Sequence, residues 1–141
     1  MTTHVIAVAP ADLDDVWPHI KHYIGEGLKV AGDDPQKVAA DILAKEAHLW
    51  VVVDDHPTRF RAAFLTAARN IDGKSIVVVY GLAGKGAHHW AKAIEARMVE
   101  YTRALGASSF RFAGKDGWGR LLPECKPVDR MHGVTIYERA A

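Results

Sequence analysis

Hydrophobic positions recur along this chain at a period of two in some segments and near 3.6 in others, and each change of period marks an element. His4 to Ala9 alternates loosely and is rich in β-formers, which predicts a first strand. Pro10 and Asp12 open a helical stretch reaching Tyr23 or Ile24. Pro18 lies within it, and a proline beyond the first helical turn costs about 3 kcal/mol. The helix therefore starts near Asp14 or Asp15, or it kinks at Trp17. Gly25 to Pro35 reads as a turn region. A second helix follows, with Asp34 as cap, Pro35 in the first helical position, and Val38 and Ile42 on one face.

Leu49 to Val53 is a nearly continuous apolar run, as expected of a strand buried on both faces. Arg59 to Ala68 carries Phe60, Ala62, Phe64 and Thr66 at period two. Asp72-Gly73 predicts a hairpin turn into a β-branched strand from Ser75 to Ala83. The period then lengthens. Trp90, Ile94, Met98, Tyr101 and Leu105 mark one face of a long helix, with Gly106 placed to end it. Phe110 to Ala113 reads as a strand, and Asp116 caps a short helix through Trp118 and Leu122 that Pro123 ends. Val128 to Met131 and Val134 to Arg139 flank His132-Gly133 as a last hairpin. The predicted order is β-α-α-β-β-β-α-β-α-β-β, a mixed α/β (α+β) sheet with helices on both faces.

Composition narrows the class without naming a function. The 141 residues suit a single domain, 1–141, with an ordinary apolar share of 49% and charged share of 25%. A net charge of +1 gives no global attraction to nucleic acid or to an acidic membrane. The apolar runs are too short to span a bilayer, and the N-terminus lacks a secretory pattern. With Cys125 as the single cysteine no internal disulfide forms, so a cytoplasmic protein is expected.

Three pieces carry a family likeness when taken together. They are Leu49-Trp50-Val51-Val52, Glu100-Tyr101-Thr102 ahead of Gly106, and Gly114-Lys115-Asp116-Gly117-Trp118 followed by Arg120-Leu121. With the element order, they make the chain resemble the GNAT superfamily of N-acetyltransferases, most closely the small GNAT-like proteins carried in bacterial phage and prophage genomes. The resemblance implies acetyl-CoA as acyl donor, bound where the fourth strand splays from the fifth. It implies that backbone amides at the start of the long helix hold the pyrophosphate, as unpaired N–H groups and the helix dipole favour an anion there. The acceptor would be a small-molecule or peptide amine, and homodimers are common among such proteins. The family's loop motif is Gln or Arg, two residues, Gly, one residue, then Gly or Ala. Gly81-Leu82-Ala83-Gly84-Lys85-Gly86 matches its last part and has glycine at its first position. The tyrosine that commonly serves as general acid falls near Leu122, which cannot donate a proton.

The candidate cofactor-binding residues are accordingly Leu82, Ala83, Gly84, Lys85, Gly86, His88 and His89, with Trp118 and Arg120 as candidate substrate-binding residues. No catalytic residue is assigned. Glu46, His88 and His89 are available as bases by location, and Cys125 reads as a structural thiol. His19, His22 and Glu26 share the spacing of zinc ligands, but a solvated helix face explains them, and no metal site is expected. The sequence supports an acyl-CoA-dependent N-acyltransferase first. The alternative is a GNAT-fold binding or assembly protein of phage origin that has lost the chemistry.

Overall fold

The apolar run around Trp50 builds the strand on which both layers of the molecule rest. A computed structural model describes residues 3–31, 34–44, 46–55, 59–131 and 133–141. In it, β2 (His48–Asp54) pairs antiparallel with β1 (Thr3–Ala7) and with β3 (Arg59–Ile71). The Asp72-Gly73 turn leads into β4 (Lys74–Gly84), antiparallel to β3. The seven strands lie in the order β1-β2-β3-β4-β5-β7-β6, where β5 is Ser109–Gly114, β6 is Lys126–Met131 and β7 is Val134–Ala140. Among the described strands only β4 and β5 pair in parallel, and the long helix α3 (Ala87–Ala104) supplies the crossover that a parallel pair requires.

Alternation along the strands separates two apolar layers. On one face Leu49, Val51, Ala63 and Leu65 pack against Ile20, Tyr23, Ile24 and Leu28 of α1 (Leu13–Ala31), and Ile42 of α2 (Pro35–Leu43) joins them. On the other, Trp50, Phe64, Val77, Val79, Phe110 and Phe112 meet Trp90, Ile94 and Met98 of α3. Each large apolar side chain buried this way stabilises the fold by about 1.5–3 kcal/mol. Trp50 also needs a polar partner, and its Nε1 donates to Thr66 Oγ1 at 2.9 Å. The short α4 (Gly117–Leu121) follows β5 on the α3 side. No described helix is long and apolar enough to cross a membrane.

Four expectations change. First, α1 begins at Leu13 and continues through Gly25 and Gly27 to Ala31, so the expected turn from Gly25 is helical in its first half. Pro18 is accepted inside it. Second, Phe60 does not share a face with Ala62 and Phe64. Val52 pairs with Ala62 and Val53 with Phe60, so Arg61 is the extra residue of a β-bulge and the alternation resets there. Phe60 then packs on the α1 side. Third, Asp116 precedes α4 without capping it through its side chain. Its carboxylate instead accepts from Thr135 Oγ1 at 3.0 Å and faces Arg130. Fourth, the apolar face of the long helix stops short of Leu105, which is exposed beyond the end of α3. Asp34 does cap α2, accepting from Gln36 N at 3.0 Å. The side chain of Val38 and the whole of His132 lie outside the described residues.

Gly27 explains why α1 tolerates its glycines. A Cβ there would collide with the main chain of Gly81 and Leu82, so the helix lies directly on β4. Gly25 faces open space. Gly27→Ala should therefore cost about 1–3 kcal/mol through overpacking, or more where the backbone cannot yield. Gly25→Ala should stabilise by up to about 1 kcal/mol, because alanine loses less entropy in a helix. Urea unfolding of the two variants checks both signs, and equal effects would show that α1 does not touch β4 so closely.

Candidate functional site

The parallel pair β4–β5 is short. It runs from Ile76 opposite Ser109 to Val79 opposite Phe112 and then ends. Beyond that point β4 stays with β3 as far as Gly84 opposite Ala62, while β5 stays with β7 as far as Gly114 opposite Thr135. With no β4–β5 pairing past Val79 and Phe112, the two strands part, and the gap between them is a cleft of about 390 Å³. That volume falls within the usual range of small-molecule sites.

A second irregularity shapes the cleft wall. Ala63 pairs with Ala83 and Leu65 with Tyr80, so Gly81 and Leu82 together oppose Phe64. Gly81 takes the left-handed conformation this bulge needs, at φ 62°. A bulge interrupts the ladder and leaves main-chain groups free to meet a ligand. Tyr80, Gly81 and Leu82 line the cleft on one side, and Phe112, Ala113 and Gly114 line it on the other. Gly27, Arg111, Asp129 and Ile136 complete its α1-side wall.

Trp118 of α4 closes the α3 side. It rests so tightly on Gly114 that a Cβ there would strike the indole. Its ring also meets Phe112 edge-on at 5.7 Å and stands 6.0 Å from Trp90. Trp90 is fixed, since its Nε1 donates to Lys85 O at 2.8 Å. On the far side of Trp90 lies another depression, of about 500 Å³, walled by Thr3, Asp54, Arg61, Lys85, Gly86, His88, His89 and Trp90 itself.

The residues expected from the sequence therefore divide between two places. Leu82 and Trp118 line the cleft. Lys85, Gly86, His88 and His89 surround the second depression at the start of α3. Ala83 packs into the α1-side layer, Gly84 is pressed onto Arg61 and Ala62, and Arg120 is exposed and lines neither depression. Glu46 is exposed on the loop before β2. His19 stacks on Phe60 at 5.3 Å, and no group of three metal-binding side chains forms among the described residues. Sequence reasoning missed Tyr80, Arg111 and Asp129 in the cleft. It also missed the bulge at Gly81, although a glycine inside a β-branched run is a bulge signal.

Two carboxylates are tuned by the arginines they hold. Hydrogen bonding from Arg61 is the main cause that keeps Asp54 below the usual carboxylate range; burial opposes it, and Thr3 adds to it. Burial pushes Glu138 upward, but hydrogen bonds from Arg111 and Ser109, with the charge of Arg111, bring it below its ordinary value. The Arg111–Glu138 pair, 2.9 Å apart across β5 and β7, fixes Arg111 in the cleft wall. Leu122, in the expected place of an acid, is buried and apolar.

Similarity to known structures extends along the whole chain, whereas sequence similarity does not. No protein-family model matches the sequence, and no curated protein matches it. A probable acetyltransferase from Staphylococcus epidermidis superposes with a TM-score of 0.70 at 7% identity, over 99% of both chains. FeeM, an N-acyl amino acid synthase from uncultured soil microbes, gives 0.66 at 9% identity over 99% of this chain and 89% of its own. The PaiA N-acetyltransferase of Thermoplasma acidophilum, solved with coenzyme A, gives 0.59 at 13% identity over the full length of both. The fold is that of the GNAT acetyltransferases.

Cys125 is removed from chemistry by its surroundings. Burial first, and then the hydrogen bond and charge of Glu95, push its thiol up to about 12. Its Sγ donates to Glu95 Oε2 at 3.4 Å, and Arg139 holds the same oxygen at 3.1 Å. The folded protein thus keeps its proton when the unfolded chain, with an ordinary thiol near 9.0, has lost it. This contribution to stability is complete below pH 9 and is lost as pH rises toward 12. A disulfide reagent at pH 8 should label Cys125 only after unfolding, and rapid labelling of native protein would contradict the burial.

Proposed function

We propose that the protein is an acyl-CoA-dependent N-acyltransferase, with acetyl-CoA as donor and a small-molecule or peptide amine as acceptor. The observation that carries this reading is the cleft where β4 and β5 part, with a bulge in β4 at its wall. The donor set suits such a ligand. Apolar walls from Leu82 and Phe112 match an acyl-pantetheine arm, and the amides and cations at the start of α3 match phosphates. Acyl-CoA would supply an activated thioester carbonyl.

The chain's own contribution is placement and polarisation. A main-chain N–H at the Gly81–Leu82 bulge would donate to the thioester oxygen, where negative charge develops as an amine attacks. The C–N bond forms, the C–S bond breaks, and the thiolate departs. Leu122 offers no proton to that thiolate, and a thiolate leaves a thioester tolerably without one. The proton shed by the amine passes to water at the open side of the cleft, where Asp129 is exposed.

A second reading has its own observation. Trp118 packs against Gly114 and Phe112 across the α3 side of the cleft, as a site that no longer turns over could allow. That would suit a binding or assembly protein of phage type. One experiment separates the two. Acetyl-CoA at about 100 times its Kd should stabilise the folded protein by about 2.7 kcal/mol in a thermal-shift titration. Thiol release with a panel of amines should then follow. Binding without release supports the second reading, and no shift at any concentration overturns both uses of the cleft for CoA.

A further inference from the structure

Arg61 is the one residue of β3 that the sheet sets aside. It is the unpaired member of the bulge between Val52 and Val53, and bulges of this kind re-aim a side chain. Its backbone remains engaged, because Lys85 N donates to Arg61 O at 3.0 Å. That bond ties the bulge to the loop between β4 and α3. Arg61 and Lys85 consequently wall the same 500 Å³ depression.

What holds the guanidinium is a buried carboxylate. Asp54 is only 5% exposed, and a carboxylate so placed costs free energy unless both its oxygens are served. Thr3 Oγ1 donates to one at 3.0 Å, and Arg61 Nε donates to the other. The acceptor capacity of Asp54 is thus directed at neighbours. Arg61 spends only its Nε, and its two terminal nitrogens have no partner among the described residues. The Lys85 ammonium is unpaired there too. An arginine steadied from behind, with its fork edge free beside a second cation, is arranged for an oxyanion with two oxygens to offer.

We propose that Arg61 is a phosphate-binding residue, that Asp54 is the positioning residue that presents it, and that Lys85 is its partner cation. Because this rests on the acyl-CoA reading, the phosphates concerned are those of CoA. Inorganic pyrophosphate shares their chemistry and tests the site without the rest of the cofactor. Calorimetric titrations of the whole protein with CoA, dephospho-CoA, pantetheine and inorganic pyrophosphate decide the matter. They are run on the native chain, on Asp54→Asn/Arg61→Gln, which leaves no buried charge unpaired, and on Arg61→Lys.

The double variant should bind CoA about 10- to 100-fold more weakly and lose part of the salt dependence, with pantetheine unaffected. Arg61→Lys should recover only part of the loss, because it restores the charge and not the fork. A smaller effect on dephospho-CoA would assign the 3′-phosphate to Arg61, and an equal effect would assign the diphosphate. CoA binding within twofold in both variants overturns the inference and leaves the acyl-CoA reading standing. Pyrophosphate bound in an Arg61-dependent way by a protein that ignores CoA keeps the inference and removes that reading. A native chain that binds neither removes both.

Discussion

β4 can keep only one neighbour along its whole length, and it keeps β3. Its pairing with β5 lapses after Val79, while its pairing with β3 runs on to Gly84. The choice is enforced from both sides of the sheet. On the α1 side, Gly27 brings a helix onto the main chain at Gly81 and Leu82. On the α3 side, Trp90 anchors the following loop through Lys85 O. β5 meanwhile is committed to β7 as far as Gly114. The cleft is the geometric remainder of these commitments, so it needs no dedicated residues to hold it open.

Two bulges, one in β3 at Arg61 and one in β4 at Gly81–Leu82, then decide what faces the openings. Each shifts the alternation of its strand by one, and such a shift moves every following side chain to the other face. In β3 the shift moves Phe60 to the α1 layer and frees Arg61 for the depression beside α3. In β4 it keeps Tyr80 and Ala83 with the α1 layer while Leu82 packs toward α3. Core packing and site construction are therefore one event in these strands. A substitution that removed either bulge would misplace core side chains and site side chains together.

Most of the elements were legible from periodicity, because hydrophobic spacing records the face that each strand and helix buries. What escaped were the places where a residue answers to a distant partner. Gly25 and Gly27 look like helix breakers, since glycine costs about 1 kcal/mol in a helix interior. Nothing local reveals that β4 lies against Gly27. Asp116 has the right position for a cap, and only the fold brings Thr135 to claim its carboxylate. Likewise Phe60 fits a period-two count with Ala62 until a bulge intervenes. The candidate site was half legible for the same reason. The glycine-bearing loop could be read along the chain, whereas Arg61, Tyr80, Arg111 and Asp129 reach the openings from strands whose partners the sequence does not state.

The distribution of charge follows from the same architecture. A chain with a net charge of +1 has little long-range field to steer an anion, so any recognition of phosphate must be local. Local recognition needs cations whose own counter-charges do not cancel them at the ligand. The structure meets this by placing carboxylates behind arginines: Asp54 behind Arg61 and Glu138 behind Arg111. Each carboxylate is held ionised by its partner and by a hydroxyl, Thr3 or Ser109, so each pair is self-supporting. The guanidinium planes are thereby set at the walls of the two openings, one beside the α3 loop and one beside the cleft. A protein of little net charge thus presents ordered arginines at two sites. Their spacing is fixed by β3, β4 and β5, the strands that create the cleft.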